Sequence, residues 1–389
     1  MASSATLLDA SARGRTGSAL SLNNGADVLI DGAPPAGVHN ENELKMKRAL
    51  TKPLEYGDKE GSQASSRPRI AIIIPCYRVR VHIETVVANV KDRVDHVFVV
   101  DDKCPESSGA FVAERFAGTN VTVIFHETNQ GVGGAMMTGY KAAAENYDIL
   151  VKMDGDDQMD PQHLNELIAP VVLQDADYSK GNRFHAPSFL NQMPKIRIFG
   201  NAMLSFLNKM SSGYWKLMDP TNGYTCLDAK VVNMIDFDKI DRRFFFESDM
   251  IFQLGLIRAV IIDVPIPARY GDEVSNLSAR KVLVPFFRKH LTNFCSRFFY
   301  QYVLRDFNIA TIWTLFGVLM FGFGVVLGST YLVRAFATGE QTALGIIMMS
   351  AINVTIGLQF LLSALAYDIN AEPSRAIARY LHQPPGAGR

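Results

Sequence analysis

Residues 149–158 read Ile-Leu-Val-Lys-Met-Asp-Gly-Asp-Asp-Gln, a mostly apolar run that ends in acidic residues. Such a run predicts a buried β-strand, here from Ile149 to Met153. Three similar runs precede it, at Ile70 to Ile74, Val97 to Val100 and Val121 to Phe125. Helix-like segments lie between them, near 82–93, 107–117 and 134–146. This alternation predicts an α/β fold with a mostly parallel sheet covered on both faces.

Polar motifs follow the predicted strands where each strand ends. The first strand runs into Pro75-Cys76-Tyr77-Arg78, and the second runs into Asp101-Asp102. Ligands of open parallel sheets bind beyond the carboxyl ends of the strands, so we expect these motifs to share one site. Carboxylates at such ends accept hydrogen bonds from a base or a ribose, but they equally well cap the turn that follows.

The acidic residues after the fourth strand have the pattern Asp154-x-Asp156, with Gln158 close behind. An extended backbone places the two carboxylates on the same side, which suits a hard divalent cation shared with substrate phosphates. A calcium EF-hand loop is excluded because its sixth and twelfth positions are Met159 and Asn165. The alternative is an acidic turn that caps the next helix.

A glycine-rich turn, Asn129-Gln130-Gly131-Val132-Gly133-Gly134-Ala135, precedes the third helix-like segment. Glycines allow close backbone approach, so the turn is a candidate phosphate cradle around Gly131. A plain tight turn is an equal alternative. Weaker polar segments follow along the chain: Gly181-Asn182-Arg183, Asp219 to Tyr224, Glu247-Ser248-Asp249, Arg269-Tyr270-Gly271 and Ser275-Asn276.

The composition excludes several classes of protein. The formal net charge is zero, so the chain has no general preference for nucleic acid. Its four cysteines are far apart, which favours neither a zinc site nor a disulfide framework. The first thirty residues lack a continuous apolar run, so we expect no secretory signal peptide. Residues 1–66 are rich in small and polar residues and are predicted to be disordered.

Two stretches near the carboxyl end, 309–332 and 343–367, contain no charged side chain. Each is long enough to cross a bilayer core of about 30 Å, although buried helices of a soluble domain are the alternative. Basic residues cluster on the outer flanks, which predicts a hairpin with both flanks in the cytoplasm. The basic residues before the first span are Arg280, Lys281, Arg288, Lys289, Arg297 and Arg305, and those in the tail are Arg375, Arg379 and Arg389.

The stretch before the spans is amphipathic. Apolar residues recur at helical spacing, which predicts helices lying in the membrane interface or, alternatively, a helix packed on the domain. The stripe comprises Leu283, Phe287, Leu291, Phe294, Phe298 and Tyr302. Within the first span, Gly324 and Gly328 form a small-xxx-small pair that would seat a neighbouring helix, in the same chain or in a homo-oligomer.

The ordered series PCYR, VVDD, NQGVGG, DGDDQ, DPTNGY and ESD, over residues 70 to about 280, resembles the inverting glycosyltransferases of family 2. That resemblance implies a GT-A fold and a nucleotide-sugar donor. With a carboxyl-terminal membrane hairpin, the chain looks most like the polyprenyl-phosphate glycosyltransferases. It would then carry a sugar to a polyprenyl phosphate, with Mg²⁺ or Mn²⁺ as cofactor, in the inner or plasma membrane if the source is bacterial.

The resemblance also implies roles for individual residues. Pro75, Tyr77 and Asp102 would border the nucleotide beside Asp101, and Asp154 would lie near the ribose and diphosphate. Asp156 and Gln158 would hold the metal, and Arg183 would neutralise phosphate charge. The remaining implied contacts are Thr221 and Asn222 in the sugar pocket, Arg269 and Ser275 on a covering loop, and Arg280 and Lys281 at the lipid phosphate.

This sequence departs from the family pattern at two positions. The position often basic in the glycine turn is Val132, and the usual Glu-Asp pair is spread over Glu247-Ser248-Asp249. Asp249 would be the general base for a hydroxyl acceptor, whereas a phosphate acceptor needs none. Two alternatives are therefore a transferase acting on a hydroxyl of a lipid-linked or surface glycan, and a catalytically silent membrane scaffold.

The predicted organisation follows from these segments. Residues 1–66 form a disordered segment and 67–279 a GT-A domain. Amphipathic juxtamembrane helices occupy 280–307, the two spans occupy 308–368, and 369–389 form a cytoplasmic tail.

Overall fold

The computed structural model describes residues 67–185, 195–267 and 279–381, without the side chains of 195–197 and 279–283. The predictions for 1–66, Arg269 and Ser275 lie outside the described residues, as do the side chains of Arg280 and Lys281.

The described residues form a seven-stranded sheet with the order β3-β2-β1-β4-β6-β5-β7. Its strands are β1 (Ile70–Cys76), β2 (His96–Asp101), β3 (Val121–Phe125), β4 (Ile149–Lys152), β5 (Tyr178–Asn182), β6 (Thr225–Asp228) and β7 (Ile261–Pro265). Only β6 runs antiparallel to its neighbours, β4 and β5. The four strands predicted from apolar runs are all present and parallel.

Helices follow most strands. They are α1 (Ile83–Val90), α2 (Ser108–Arg115), α3 (Gly131–Ala144), α4 (Leu164–Val172), α5 (Lys195–Ser212), α6 (Ala229–Val232), α7 (Phe246–Leu256), α8 (Ala279–Phe299), α9 (Ile309–Thr338), α10 (Leu344–Asn370) and α11 (Ala378–Leu381). A π-helical segment, Tyr300–Arg305, continues α8 towards α9.

Both faces of the sheet are buried, which explains why the strands are apolar without alternation. Ile72 and Ile74 of β1 face the layer formed by α1, α2 and α4. Ala71 and Ile73 face the opposite layer, which contains α3, α6 and α7. All four side chains are fully buried. The predicted α/β class is therefore confirmed.

Helices α9 and α10 form an antiparallel pair, and both are long and apolar enough to cross a membrane. Most of their large apolar side chains are exposed, as a lipid-facing hairpin requires. The pair of glycines in α9 seats α10 of the same chain: a Cβ on Gly324 would lie 2.7 Å from the Val354 nitrogen, and one on Gly328 would lie 2.5 Å from Ser350 Oγ. Ser350 Oγ also donates to the Gly324 carbonyl at 2.8 Å.

The predicted aromatic stripe before the hairpin divides into two parts. Phe287 and Leu291 of α8 are exposed, whereas Phe294 and Phe298 are half-buried. Tyr302 is buried, and its hydroxyl donates to Asp368 at the end of α10. One part of the stripe thus remains available to a membrane, and the other packs between the domain and the hairpin.

After the hairpin the chain returns to the α/β domain. Asp177, just before β5, is fully buried. One of its carboxylate oxygens accepts from the Val260 and Ile377 amides at 2.7 and 2.9 Å, and the other accepts from the Ala378 amide at 2.7 Å. Both ends of the hairpin therefore lie beside the α/β domain.

Replacing Asp177 tests this anchor. Asp177→Ala leaves buried amides without an acceptor, so we expect it to destabilise the protein by about 3 kcal/mol. The melting temperature should fall, and protease should cut near Ala378 first. Asp175→Ala is the matched control, because Asp175 is an exposed partner of Arg379 at 3.6 Å. Equal melting temperatures for the two variants would contradict the proposed anchor.

Candidate functional site

A cavity of about 150 Å³ lies beyond the carboxyl ends of β4 and β5. It brings together six residues that the sequence analysis assigned to the site: Asp154, Asp156, Gln158, Arg183, Thr221 and Asn222. Its other walls come from Met159, Asp160, Gly223, Tyr224, Ile266 and Pro267. Segments from Asp154 to Pro267, 113 positions apart in the sequence, thus meet at the sheet edge that the strand pattern predicted.

A buried lysine lies beneath this cavity. Lys152, the last residue of β4, is 1% exposed, and its amine lies 2.6 Å from Asp154 Oδ1 and 3.5 Å from Glu247 Oε1. Burial opposes the charge on this ammonium, but Asp154 and Glu247 outweigh it and raise the pKa of Lys152 above its ordinary value. The ammonium therefore stays charged and orients the Asp154 carboxylate.

Close packing at Gly223 depends on the absence of a side chain there. A Cβ on Gly223 would lie 2.3 Å from Lys152 Nζ and 2.5 Å from Asp154 Oδ2. The Gly223 carbonyl accepts from Lys152 at 3.3 Å. The Asn-Gly turn is thus part of the shell that positions Asp154.

Arg183 is held in a fixed orientation by a buried carboxylate. Its Nε and Nη2 donate to the two oxygens of Asp219, both at 2.6 Å. Burial alone would raise the pKa of Asp219, but the paired guanidinium lowers it below its ordinary value. The Arg183 side chain is 18% exposed, so one edge of the guanidinium is bound while the group still lines the cavity.

A second buried lysine supports the turn that carries Asp219. Lys180 of β5 donates to the carbonyls of Met218, at 2.7 Å, and Asp219. Asp263 of β7 accepts from the Met218 amide at 2.7 Å. Sequence analysis missed Lys152, Lys180 and Asp263. The only available signal was a charged residue inside a buried strand, where it requires a partner.

The cavity has the donor chemistry of a site for a shared divalent cation. Asp154, Asp156 and Gln158 bring two carboxylates and an amide to one wall. Among the described residues, no three His, Cys, Asp or Glu side chains form an all-protein metal group. This set fits Mg²⁺ or Mn²⁺, which take their remaining ligands from substrate phosphates and water.

Asp101 and Asp102 are engaged in capping, the alternative that the sequence left open. Asp101 accepts from the Cys104 and Gly109 amides, both at 2.7 Å. Asp102 accepts from the Gln130 and Gly131 amides at 2.7 Å and binds His126 Nδ1 at 2.8 Å. Both residues are buried, so their carboxylates stabilise loops around the predicted nucleotide site.

The backbone amides of the glycine turn are also hydrogen-bonded within the protein. The Gly133 and Gly134 amides donate to the Arg242 carbonyl at 2.9 and 3.2 Å. A Cβ on Gly133 would lie 2.4 Å from the Asp241 carbonyl. Together with the bonds to Asp102, these contacts use the amides that a phosphate cradle requires, so the turn serves close packing. Of the other predicted nucleotide contacts, Pro75 is half-buried and Tyr77 is exposed.

Glu247 and Asp249 have different surroundings, although they lie on the same turn of α7. Glu247 reaches Lys152 under the cavity, and burial raises its pKa. Asp249 accepts from the Asp241 amide at 2.9 Å and from Asn293 Nδ2 of α8 at 2.7 Å. Burial also raises the pKa of Asp249. Glu247 thus shares Lys152 with Asp154, just after β4, and Asp249 joins the domain to α8.

Comparison with known proteins places the chain among sugar transferases. The model of the family "Glycosyl transferase family 2" matches residues 71–235. The chain is 30% identical to undecaprenyl-phosphate mannosyltransferase of Micrococcus luteus, over 51% of this chain and 82% of the relative. It is 28% identical to UDP-N-acetylglucosamine–dolichyl-phosphate N-acetylglucosaminyltransferase of Methanococcus voltae, over 56% and 92% respectively.

Among solved structures, glucosyl-3-phosphoglycerate synthase from Mycobacterium tuberculosis in complex with UDP aligns with a TM-score of 0.43 at 14% identity. The alignment covers 62% of this chain and 86% of that chain.

The pairing of Arg183 with Asp219 predicts a specific dependence of stability on pH. The pKa of Asp219 is lower in the folded protein than its ordinary value of 3.8. Its stabilisation is therefore complete above about pH 5 and is lost as the pH falls through the folded pKa. We expect Asp219→Asn to melt at a lower temperature than the wild type at pH 7. The difference in melting temperature between the two proteins should become smaller as the pH is lowered to 3.

Asp236→Asn is the control for this measurement. Asp236 pairs with Lys239 on the exposed surface at 2.8 Å. Its melting curve should follow that of the wild type throughout, and a pH-independent deficit in Asp219→Asn would refute the assignment.

Proposed function

Because the chain belongs to glycosyl transferase family 2, we propose that it transfers a sugar from a nucleotide diphosphate to a polyprenyl phosphate at a membrane surface. One observation carries this proposal. The cavity formed by Asp154, Asp156, Gln158 and Arg183 lies in a domain that both ends of a long apolar hairpin join. Relatives named for transfer to undecaprenyl and dolichyl phosphate support the acceptor class.

The donor would bind with its diphosphate in this cavity. Asp156 and Gln158 would hold Mg²⁺ or Mn²⁺, which offsets negative charge on the diphosphate when bound. Arg183 faces the same space with its orientation fixed by Asp219, so it would stabilise the charge that develops on the leaving group. Thr221 and Asn222, which also line the cavity, would contact the sugar.

Transfer would be a single displacement that inverts the anomeric carbon. An oxygen of the lipid phosphate forms a bond to that carbon as the bond to the nucleotide diphosphate breaks. A phosphate monoester has a second pKa of about 6 and is largely ionised at neutral pH, so it attacks without a general base. The position of Asp249 supports this version, because both of its carboxylate oxygens are engaged away from the cavity.

The hairpin would hold this reaction at the cytoplasmic face. Both of its ends lie beside the domain, and Arg288 and Arg305 are exposed on the flank before it. Lys289 and Arg297 contribute less to this flank, because they are paired with Asp241 and Asp368. Arg280 and Lys281, at the start of α8, would meet the acceptor phosphate.

A second candidate acceptor is a hydroxyl group on a lipid-linked glycan. The environment of Glu247 favours it, because burial raises the pKa of this carboxyl group beside the catalytic carboxylates. A raised pKa suits a general base, and Glu247 would take that role in place of Asp249.

Membranes containing the full chain distinguish the two acceptors. After incubation with a panel of labelled nucleotide sugars, label should enter a lipid that mild acid releases, since a glycosyl phosphate is acid-labile. Asp249→Asn should retain turnover within about tenfold of wild type, because a phosphate nucleophile needs no base. Label found only in acid-stable glycan, with Glu247→Gln inactive, would establish the hydroxyl acceptor.

Removing the buried ammonium tests the positioning of Asp154. Lys152→Met should lower kcat/KM by about 100-fold or more, because Asp154 loses its orienting partner and two carboxylates remain uncompensated. Lys152→Arg is the control for charge, because it keeps the cation. Lys141→Met is the control for folding, because it makes the same substitution on the surface. Full activity in Lys152→Met, with an unchanged melting temperature, would show that the lysine does not position the site.

A further inference from the structure

A second and larger cavity, of about 520 Å³, lies at the opposite edge of the sheet. Gly255 and Arg258 line it, and they precede the amino end of β7 at Ile261. The candidate site, by contrast, lies where Asp154 and Arg183 follow the carboxyl ends of their strands. The two cavities are therefore separate, and the larger one is not part of the transfer site.

The second cavity lies where the hairpin meets the domain. Asn308, which caps the start of α9, lines it together with Tyr367 and Asn370 from the end of α10. Exposed Phe307 and Ile369 mark the beginning of the apolar surface on these two helices. If α9 and α10 cross a bilayer, the cavity lies at the depth of the phospholipid headgroups.

The acidic residues around this cavity already have partners. Asp368 accepts from Arg297 Nη1 and Nη2 at 2.7 and 2.9 Å, and from Trp215 Nε1 at 2.8 Å. Glu372 accepts from the Lys216 amide at 2.8 Å. The third, Asp306, accepts from Asn308 Nδ2 at 3.1 Å.

Two guanidinium groups on the same cavity bind backbone carbonyls rather than carboxylates. Arg258 Nη2 donates to the Ala371 carbonyl at 2.9 Å, and Arg305 Nη1 donates to the Leu256 carbonyl at 2.8 Å. Within 67–185, 195–267 and 279–381, neither has a carboxylate within ion-pair distance. A guanidinium carries five N–H donors, so each retains donors and a full positive charge. The lining also holds Arg297, paired with Asp368, and the carboxylates of Asp306 and Glu372, so Arg258 and Arg305 are its two cations without an ion pair among the described residues.

We infer that this second cavity binds the phosphate headgroup of an anionic membrane phospholipid, through Arg258 and Arg305. Guanidinium groups bind phosphate oxygens in pairs, and the cavity has the size of a small-molecule site. Free phosphate shares this chemistry. The apolar surface that begins at Phe307 and Ile369 favours the lipid, because it offers the acyl chains a path along the hairpin.

The bound lipid would join the domain to the hairpin. The lining residues come from α5, α7, α8, the π-helical segment, the cap of α9 and the end of α10, so a bound headgroup would lie where these parts meet. This inference does not depend on which acceptor the transferase uses, because its readout is lipid binding.

Lipid titration of the detergent-solubilised full chain tests the inference. Phosphatidylglycerol, phosphatidylcholine and inorganic phosphate are added separately, with bound lipid counted by native mass spectrometry and stability followed by melting. We expect phosphatidylglycerol to bind and stabilise the wild type selectively. The double variant Arg258→Gln/Arg305→Gln should need at least about tenfold more phosphatidylglycerol for the same stabilisation. Each arginine near an anionic headgroup contributes about 1 kcal/mol to binding.

The matched control is Arg115→Gln/Arg334→Gln, which removes the same charge from residues paired with Glu84 and Glu340. It should bind phosphatidylglycerol like the wild type. Unchanged affinity in Arg258→Gln/Arg305→Gln, equal stabilisation by phosphatidylcholine, or stabilisation by inorganic phosphate alone would each overturn the inference.

If the glutamine variant does not fold, the double variant Arg258→Lys/Arg305→Lys tests the same inference. Lysine keeps the charge but lacks the paired donors, so selectivity for phosphatidylglycerol should fall. Wild-type selectivity in the lysine variant would also overturn the inference.

Discussion

The charge on Lys152 is the constraint on which the candidate site depends. Its ammonium is fully buried at the end of β4, the central strand of the sheet, where an isolated charge is very costly. Asp154 and Glu247 must therefore come to it from different segments, and Gly223 must lack a side chain. The partners that this one buried cation requires thus fix the positions of β4, α7 and the Asn-Gly turn relative to one another.

A second set of buried charges joins the domain to the hairpin. Arg297 of α8 and Asp368 of α10 are paired inside the protein, and Tyr302 and Trp215 complete the hydrogen bonds of the carboxylate. Asp177 holds the chain after the hairpin against β5 and β7. These contacts restrict tilting of the domain relative to α9 and α10. If the hairpin crosses a bilayer, the proposed transfer to a lipid would benefit from that restriction, because the cavity would stay at a constant distance from the bilayer.

The two edges of the sheet consequently differ in character. The carboxyl edge has carboxylates, an amide and one oriented guanidinium, which suit a nucleotide diphosphate and a cation. The amino edge, beside the hairpin, has three arginines and three carboxylates, and only Arg297 among the arginines is paired with one of them. Both edges use arginine, but Arg183 is fixed by Asp219 whereas Arg258 and Arg305 bind only backbone carbonyls. The orientation of Arg183 is therefore fixed by a carboxylate, whereas Arg258 and Arg305 are held by carbonyls alone.

The sequence by itself determined the α/β class, the four parallel strands, the apolar hairpin and six of the twelve residues that line the cavity. Each depends on local composition or on residues next to a strand end, where neighbours in sequence are neighbours in space. It left Asp101, Asp102 and the glycine turn open, and it could not choose between Glu247 and Asp249. Only the tertiary structure decided these, because a carboxylate's role depends on which distant amide, lysine or arginine reaches it, and that is set by how the layers pack.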